Sequence, residues 1–143
     1  MICRRVMSVF VYCILSVWNN GIYAQEQALG LLPEVQKTIP VQEGKSHYAM
    51  CLGCHSPGYN RTGPKHCGVF GRLAGSQEGY QYSEALITSL LRWNRHTLDL
   101  FLEAPTKIVP GTSMTFAGIS DAGVRAQLID YLATLAPGHK DCE

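Results

Sequence analysis

The stretch from Cys51 to Tyr82 constrains the fold of this chain more than any other part of it. It is dense in Gly, Pro and polar residues: Ser56-Pro57-Gly58, Thr62-Gly63-Pro64, Gly68, Gly71, Gly75 and Gly79. No helical or strand period runs through it. About thirty residues of irregular chain are far longer than an ordinary connection, and they fit a compact domain only if they wrap something that supplies the missing core.

That stretch opens with Cys51-Leu52-Gly53-Cys54-His55, a C-x-x-C-H run. This is the attachment spacing of a c-type haem. Two thiols three residues apart on one turn can each add across a haem vinyl group to make thioethers. The adjacent histidine is then held under the iron as proximal ligand. A redox dithiol would call for a thioredoxin-like βαβ context, which the chain lacks. A structural zinc site would want a second ligand pair, and Cys67 with Cys142 has the wrong spacing.

The amino terminus reads as an address. Arg4 and Arg5 precede a thirteen-residue apolar run from Val6 to Trp18, short of the ~20 residues that span a bilayer. Ile22-Tyr23-Ala24 offers a small residue at a cleavage point between Ala24 and Gln25. The alternative is an uncleaved anchor extending to about Tyr23. Cys13 reads as signal interior. The whole chain of 143 residues carries 12 basic and 11 acidic side chains, net +1. Removing two Arg and no acid leaves the exported chain at −1, with Cys51, Cys54, Cys67 and Cys142 in a compartment where disulfides persist. Such a balance is no footprint for nucleic acid. The length fits one domain. The expected division is a signal peptide over 1–24, a spacer over 25–41 and the domain over 42–143.

Glu43 to Met50 is expected to form one short helix. Ser83 is expected to cap a helix running to about Arg92. Asn94 or Arg95 opens another, with Leu98, Phe101 and Leu102 on one face, stopped ahead of Pro105. Thr106 to Ile119 is expected to be a second loop. Ser120-Asp121 then caps a final helix with Val124, Leu128, Tyr131, Leu132 and Leu135 at helical spacing, ended by Pro137-Gly138. No run alternates as a strand would. The fold class is all-α, with four to five short helices and long loops around one covalently attached haem.

A sixth ligand must come from far along the chain. Met1 and Met7 leave with the signal, and Met50 adjoins Cys51 too closely to reach the other haem face. Met114, on the loop Pro110-Gly111-Thr112-Ser113-Met114, is the methionine that remains. His47, His66, His96 and His139 are the competing donors. His96, at a helix start, and His139, in the tail, are read as solvated.

From about Gly44 to Leu135 the chain resembles the class I c-type cytochromes, the small monohaem type of mitochondria and bacterial periplasms. The resemblance rests on C-x-x-C-H, Thr62-Gly63-Pro64, Gly68-Val69-Phe70-Gly71-Arg72, Gly75, Gly79-Tyr80, Tyr82 and Trp93. It continues through Thr97-Leu98, Pro105, Pro110-Gly111-Thr112, Met114, Phe116, Gly118-Ile119, Arg125, Leu128-Ile129 and Tyr131-Leu132. It implies one haem c attached through Cys51 and Cys54, with His55 and Met114 as axial ligands. It further implies a hydrogen bond from His55 to the Pro64 carbonyl, with Arg72, Tyr82 and Trp93 holding the haem propionates. Phe116 would pack beside Met114. The first and last helices would cross through Gly44, Tyr48, Leu128 and Tyr131.

Several residues depart from the family pattern. The first helix is one residue short between Tyr48 and Cys51. Leu86 stands where the family often has Asn, and Phe101 where it often has Tyr, which implies a drier Met114 side. Thr106 and Ser113 occupy places where the family often has lysine, leaving Lys107, with Lys45 and Lys65 elsewhere. Partner binding is therefore expected to be mainly apolar. Cys67 and Cys142 are expected to form a disulfide, the alternative being a buried thiol and a separate tail thiol.

The expected function is that of a soluble, monomeric, periplasmic electron carrier serving a respiratory complex, a terminal oxidase or a periplasmic dehydrogenase. No residue is assigned acid–base or nucleophilic work. The rival readings are a haem peroxidase or small-ligand sensor, with a labile Met114 and a distal group such as His66, and a carrier tethered by an uncleaved N-terminus.

Overall fold

The computed structural model describes residues 40–143, and the signal segment, Cys13 and the spacer through residue 39 lie outside them. The chain is helical over residues 40–47 (α1), so helix already covers residues 40 and 41, which the sequence reading assigns to the spacer. It then tightens into a 3₁₀ turn, Tyr48–Cys51, that runs straight into the C-x-x-C-H motif. This turn accounts for the missing residue. Three 3₁₀ steps advance about 6 Å through about one rotation, nearly what four α-helical steps deliver. Tyr48 and Cys51 thus keep their places with one residue fewer between them.

Four more helices follow: α2 (Glu84–Thr88), α3 (Arg95–Glu103), α4 (Pro105–Ile108) and α5 (Ala122–Thr134), then a 3₁₀ turn at Lys140–Cys142. Among the described residues there is no strand, only an isolated antiparallel bridge between Leu73 and Arg92. Around it, Ala74 N donates to Leu91 O at 2.7 Å and Trp93 N to Arg72 O at 2.9 Å. These bonds latch the long loop to the segment ahead of α3 and satisfy backbone groups that a loop would otherwise leave open.

α2 is shorter than expected, ending at Thr88 rather than near Arg92. Leu90 sits in the left-handed region at φ 54°, which no helix continues through. Ser83 occupies the N-cap position of α2 but makes no cap hydrogen bond. α3 is started by a reciprocal cap: Asn94 Oδ1 accepts from Thr97 N, and Asn94 N donates to Thr97 Oγ1, each at 3.0 Å. Pro105 ends α3 but does not open a loop; at the first position of α4 its fixed φ favours a new helical turn. The Asp121 carboxylate caps α5 by accepting from Val124 N at 3.0 Å.

α1 crosses α5 at Gly44. A Cβ there would overlap the Gln127 carbonyl and come within 3.0 Å of Tyr131 Cβ, so the close approach requires glycine. Tyr48 and Tyr131 meet edge-to-face at 5.2 Å, and Leu128 beside them is fully buried. α3 packs on α5 through Leu98, Phe101 and Leu102. Arg125 of α5 donates to Asp99 of α3 at 2.7 Å and to the carbonyls of Ile119 and Ser120 at 2.8 and 3.0 Å. That guanidinium ties two helices to the end of the Met114 loop. At the other end of the domain Cys67 and Cys142 stand in bridging geometry, with Cα atoms 5.7 Å apart. Asp141 beside them accepts from Lys45 Nζ and Tyr131 Oη, each at 2.8 Å, and holds the tail against α1 and α5.

Candidate functional site

The long loop and the helices enclose a cavity of about 270 Å³ whose lining includes Cys51, Cys54, His55, Pro64, Arg72, Tyr82, Trp93 and Met114. Every residue that the sequence singles out for the cofactor therefore reaches one space. Its walls are apolar: Val69, Leu86, Leu98, Phe101, Leu102 and Leu132 all line it and all are buried. Leu86 and Phe101 add apolar surface to this wall where Asn and Tyr would add polar groups.

The 3₁₀ turn ends at Cys51, and the turn that follows it carries Cys54. Cys51 is half-buried and Cys54 exposed, and neither is in a disulfide. Burial pushes the Cys51 thiol up to about 11, so it stays protonated at neutral pH. His55 is buried, and its Nδ1–H donates to the Pro64 carbonyl at 2.7 Å. That bond leaves Nε2 as the ring's lone-pair donor. Burial lowers the His55 pKa, partly offset by the Pro64 bond, and keeps the imidazole neutral. Gly63 makes room for the ring: a Cβ there would come within 2.7 Å of both ring nitrogens. The loop after α4 brings Met114 and Phe116 into the cavity, and Thr112 Oγ1 accepts from Met114 N at 3.3 Å.

The polar corner is made by Arg72, Tyr82 and Trp93. The Arg72 guanidinium donates to Lys65 O, Cys67 O and Gln77 Oε1 at 3.0, 3.1 and 2.6 Å, so it is held in place before meeting any ligand. Ser83, the residue after Tyr82, does not line the cavity; its Oγ is the one buried side-chain polar atom without a partner among the described residues. A cofactor with acidic edges fits the corner, since a propionate oxygen would meet a guanidinium fixed in place and a phenol. Two thiols, an imidazole with a free Nε2 and a thioether complete a donor set suited to a covalently bound haem.

Sequence reasoning did not place one residue of this site. His66 reads as a candidate donor for the Met114 side, yet its ring stacks on His55 with centroids 4.2 Å apart. Burial, then His55 and Arg72, hold His66 well below the usual histidine range. The other histidines stand elsewhere. His47 pairs with Gln127 Oε1 at 3.0 Å, His96 is exposed, and His139 Nδ1 accepts from Asp141 N at 3.2 Å. The solvated reading of His139 is thus replaced by a tail contact.

Residues 41–136 match the Cytochrome c family. Cytochrome c2 of Rhodopila globiformis is 43% identical over 98 residues, covering 67% of this chain and 92% of that protein. Cytochrome c2 of Rhodomicrobium vannielii is 40% identical over 121 residues, 82% of this chain and 86% of that one. Among solved structures, cytochrome cH from Methylobacterium extorquens superposes with a TM-score of 0.65 at 41% identity, covering 66% of this chain and 97% of that one. With the family match spanning the thiol turn, the long loop, the Met114 loop and α5, the chain belongs to the cytochrome c family of electron carriers, whose one haem c is attached covalently through cysteine.

Proposed function

We propose that this protein is an exported, periplasmic carrier of single electrons whose haem is attached at Cys51 and Cys54 and ligated by His55 and Met114. The observation that carries this reading is the convergence of all four side chains on one apolar cavity. Bound there, the haem supplies an iron that alternates between ferric and ferrous states, with histidine–methionine ligation raising its potential.

The chain's own residues do the rest. Pro64 O holds the proton on His55 Nδ1 and so keeps Nε2 directed as a ligand. Thr112 Oγ1 holds the backbone N–H of Met114 on the far loop, and Phe116 lines the same cavity. Arg72, Tyr82 and Trp93 hold the propionate edge, while Leu86, Phe101 and Leu102 exclude water from around the iron. A site closed by two protein ligands changes little between oxidation states, which favours fast transfer. Around the exposed Cys54, Met50 and Leu52 are 44% and 46% exposed, an apolar rim for a redox partner such as a respiratory complex, a terminal oxidase or a periplasmic dehydrogenase. The Cys67–Cys142 disulfide suits the exported location. Among the described residues no helix is long and apolar enough to cross a membrane.

Carbon monoxide tests the closed site. The ferrous holoprotein is expected not to bind it at neutral pH, because the protein fills both axial positions. Stoichiometric binding would transfer the reading to a sensor or peroxidase. That rival loses its named distal group here, since His66 lies against His55.

A further inference from the structure

Between Thr62-Gly63-Pro64 and Gly68-Val69-Phe70-Gly71-Arg72 lie three residues that carry none of the resemblance to the family, and one of them is His66. Its ring lies on the His55 ring with centroids 4.2 Å apart and planes 21° from parallel. Its Nδ1 stands 2.9 Å from Tyr48 Oη, and the Tyr48 ring meets it edge-on at 5.6 Å. Tyr48 cannot yield, being 3% exposed and wedged against Tyr131 where α1 meets α5. The backbone of His66 is fixed as well, with its N–H donated to Ser56 O at 3.2 Å.

The Pro64 bond holds one atom of His55, and Gly63 limits its ring on one side, where no Cβ would fit. A flat side chain stacked on the ring sets the tilt that remains, and it does so only if that side chain is itself held. His66 is such a side chain, and Tyr48 holds it. We propose that His66, pinned by Tyr48, is a positioning residue that sets the plane of the His55 imidazole at the haem iron and, through it, the balance between ferric and ferrous states. This rests on the assignment of His55 as an axial ligand. An aliphatic side chain at position 66 would give neither a flat surface nor a dipole, and a less polar wall disfavours the more highly charged ferric state.

The test is electron paramagnetic resonance of the ferric holoprotein together with its midpoint potential, both at one fixed pH. The wild type is expected to give a single low-spin signal. His66→Leu is expected to move the largest g value or add a second low-spin signal, and to shift the ferric-to-ferrous ratio several-fold toward ferrous at a fixed applied potential. Tyr48→Phe moves both in the same direction by less. His66→Phe retains the flat surface and therefore the wild-type g value, while its potential rises. Far-ultraviolet circular dichroism and the Soret band report that each variant is folded and loaded. Wild-type g values and potential in both His66→Leu and Tyr48→Phe would overturn the proposal alone. A wild type without a low-spin signal would overturn the ligation reading and this proposal with it.

Discussion

His55 Nδ1 lies 2.7 Å from the carbonyl oxygen of Pro64, nine residues further along the chain. This one bond turns a loop into a mount for the ring: the proton is held on Nδ1, and Nε2 is left as the lone-pair donor. The carbonyl can stand there because Gly63, the residue before Pro64, has no side chain to strike the imidazole.

Gly63→Ala tests that mount. The added Cβ would come within 2.7 Å of both ring nitrogens, and His55 must turn away or the loop must open. Haem staining on denaturing gels is expected to show severalfold less attached haem than wild type at equal expression. Full loading with an unchanged spectrum would contradict the packing argument.

The tail is held by charge, and Cys67 and Cys142 stand where a covalent bond can join it to the long loop. A bridge between Cys67 and Cys142 closes a span of 75 residues, and removing such a cross-link costs about 2–5 kcal/mol. Cys142→Ser is expected to lower stability to denaturant by that amount, with the haem spectrum unchanged. Thiol titration of the oxidised wild type should find no free sulfhydryl at either position.

Asp141 gives this tail a pH dependence of known sign. Lys45 and then Tyr131 hold its carboxyl below the ordinary 3.8. A carboxyl whose folded pKa is depressed contributes stability that is complete above the unfolded value and disappears as pH falls through the folded one. The stability difference between wild type and Asp141→Asn is therefore expected to be constant from neutral pH to about 5 and to shrink below about 4. Urea titrations across that range measure it.

Leu90 is 77% exposed at φ 54°, where a side chain is strained and gains no burial. The left-handed conformation costs a non-glycine residue about 1–2 kcal/mol, against about 0.5–1 kcal/mol of extra chain entropy for glycine. Leu90→Gly is expected to stabilise the protein by about 0.5–1 kcal/mol in thermal or urea denaturation.

The rim around Cys54 predicts how partners are found. Met50 and Leu52 are exposed there, while Lys45 is engaged by Asp141. Second-order electron-transfer rates with a protein partner are expected to change less than about threefold between ~10 mM and ~200 mM salt, a range that collapses the screening length. A steep fall would show that charge steers docking.

The haem motif, the methionine loop and the caps of α3 and α5 were legible because each is local: a spacing, a sole remaining donor, a hydroxyl, amide or carboxylate ahead of an apolar period. α2 was misread in length because Leu90 takes a left-handed conformation that composition favours only for glycine. α4 was missed because Pro105 reads as a stop, although its position also suits the first residue of a helix. The missing residue before Cys51 was visible, but the 3₁₀ turn that absorbs it depends on both ends being held by packing. His66 was placed on the wrong side because its partners, Tyr48 and His55, meet it only in three dimensions. A histidine two residues after Pro64, with a tyrosine just ahead of the motif, is the signal that would have found it.

The measurement closest to the central claim is the far-red absorption of the ferric holoprotein at neutral pH, where a methionine–iron charge-transfer band is seen. The account predicts that the band is present in the wild type and absent in Met114→Ala. A wild type without it would mean that Met114 is not on the iron, and the closed electron-carrier site would fall with it.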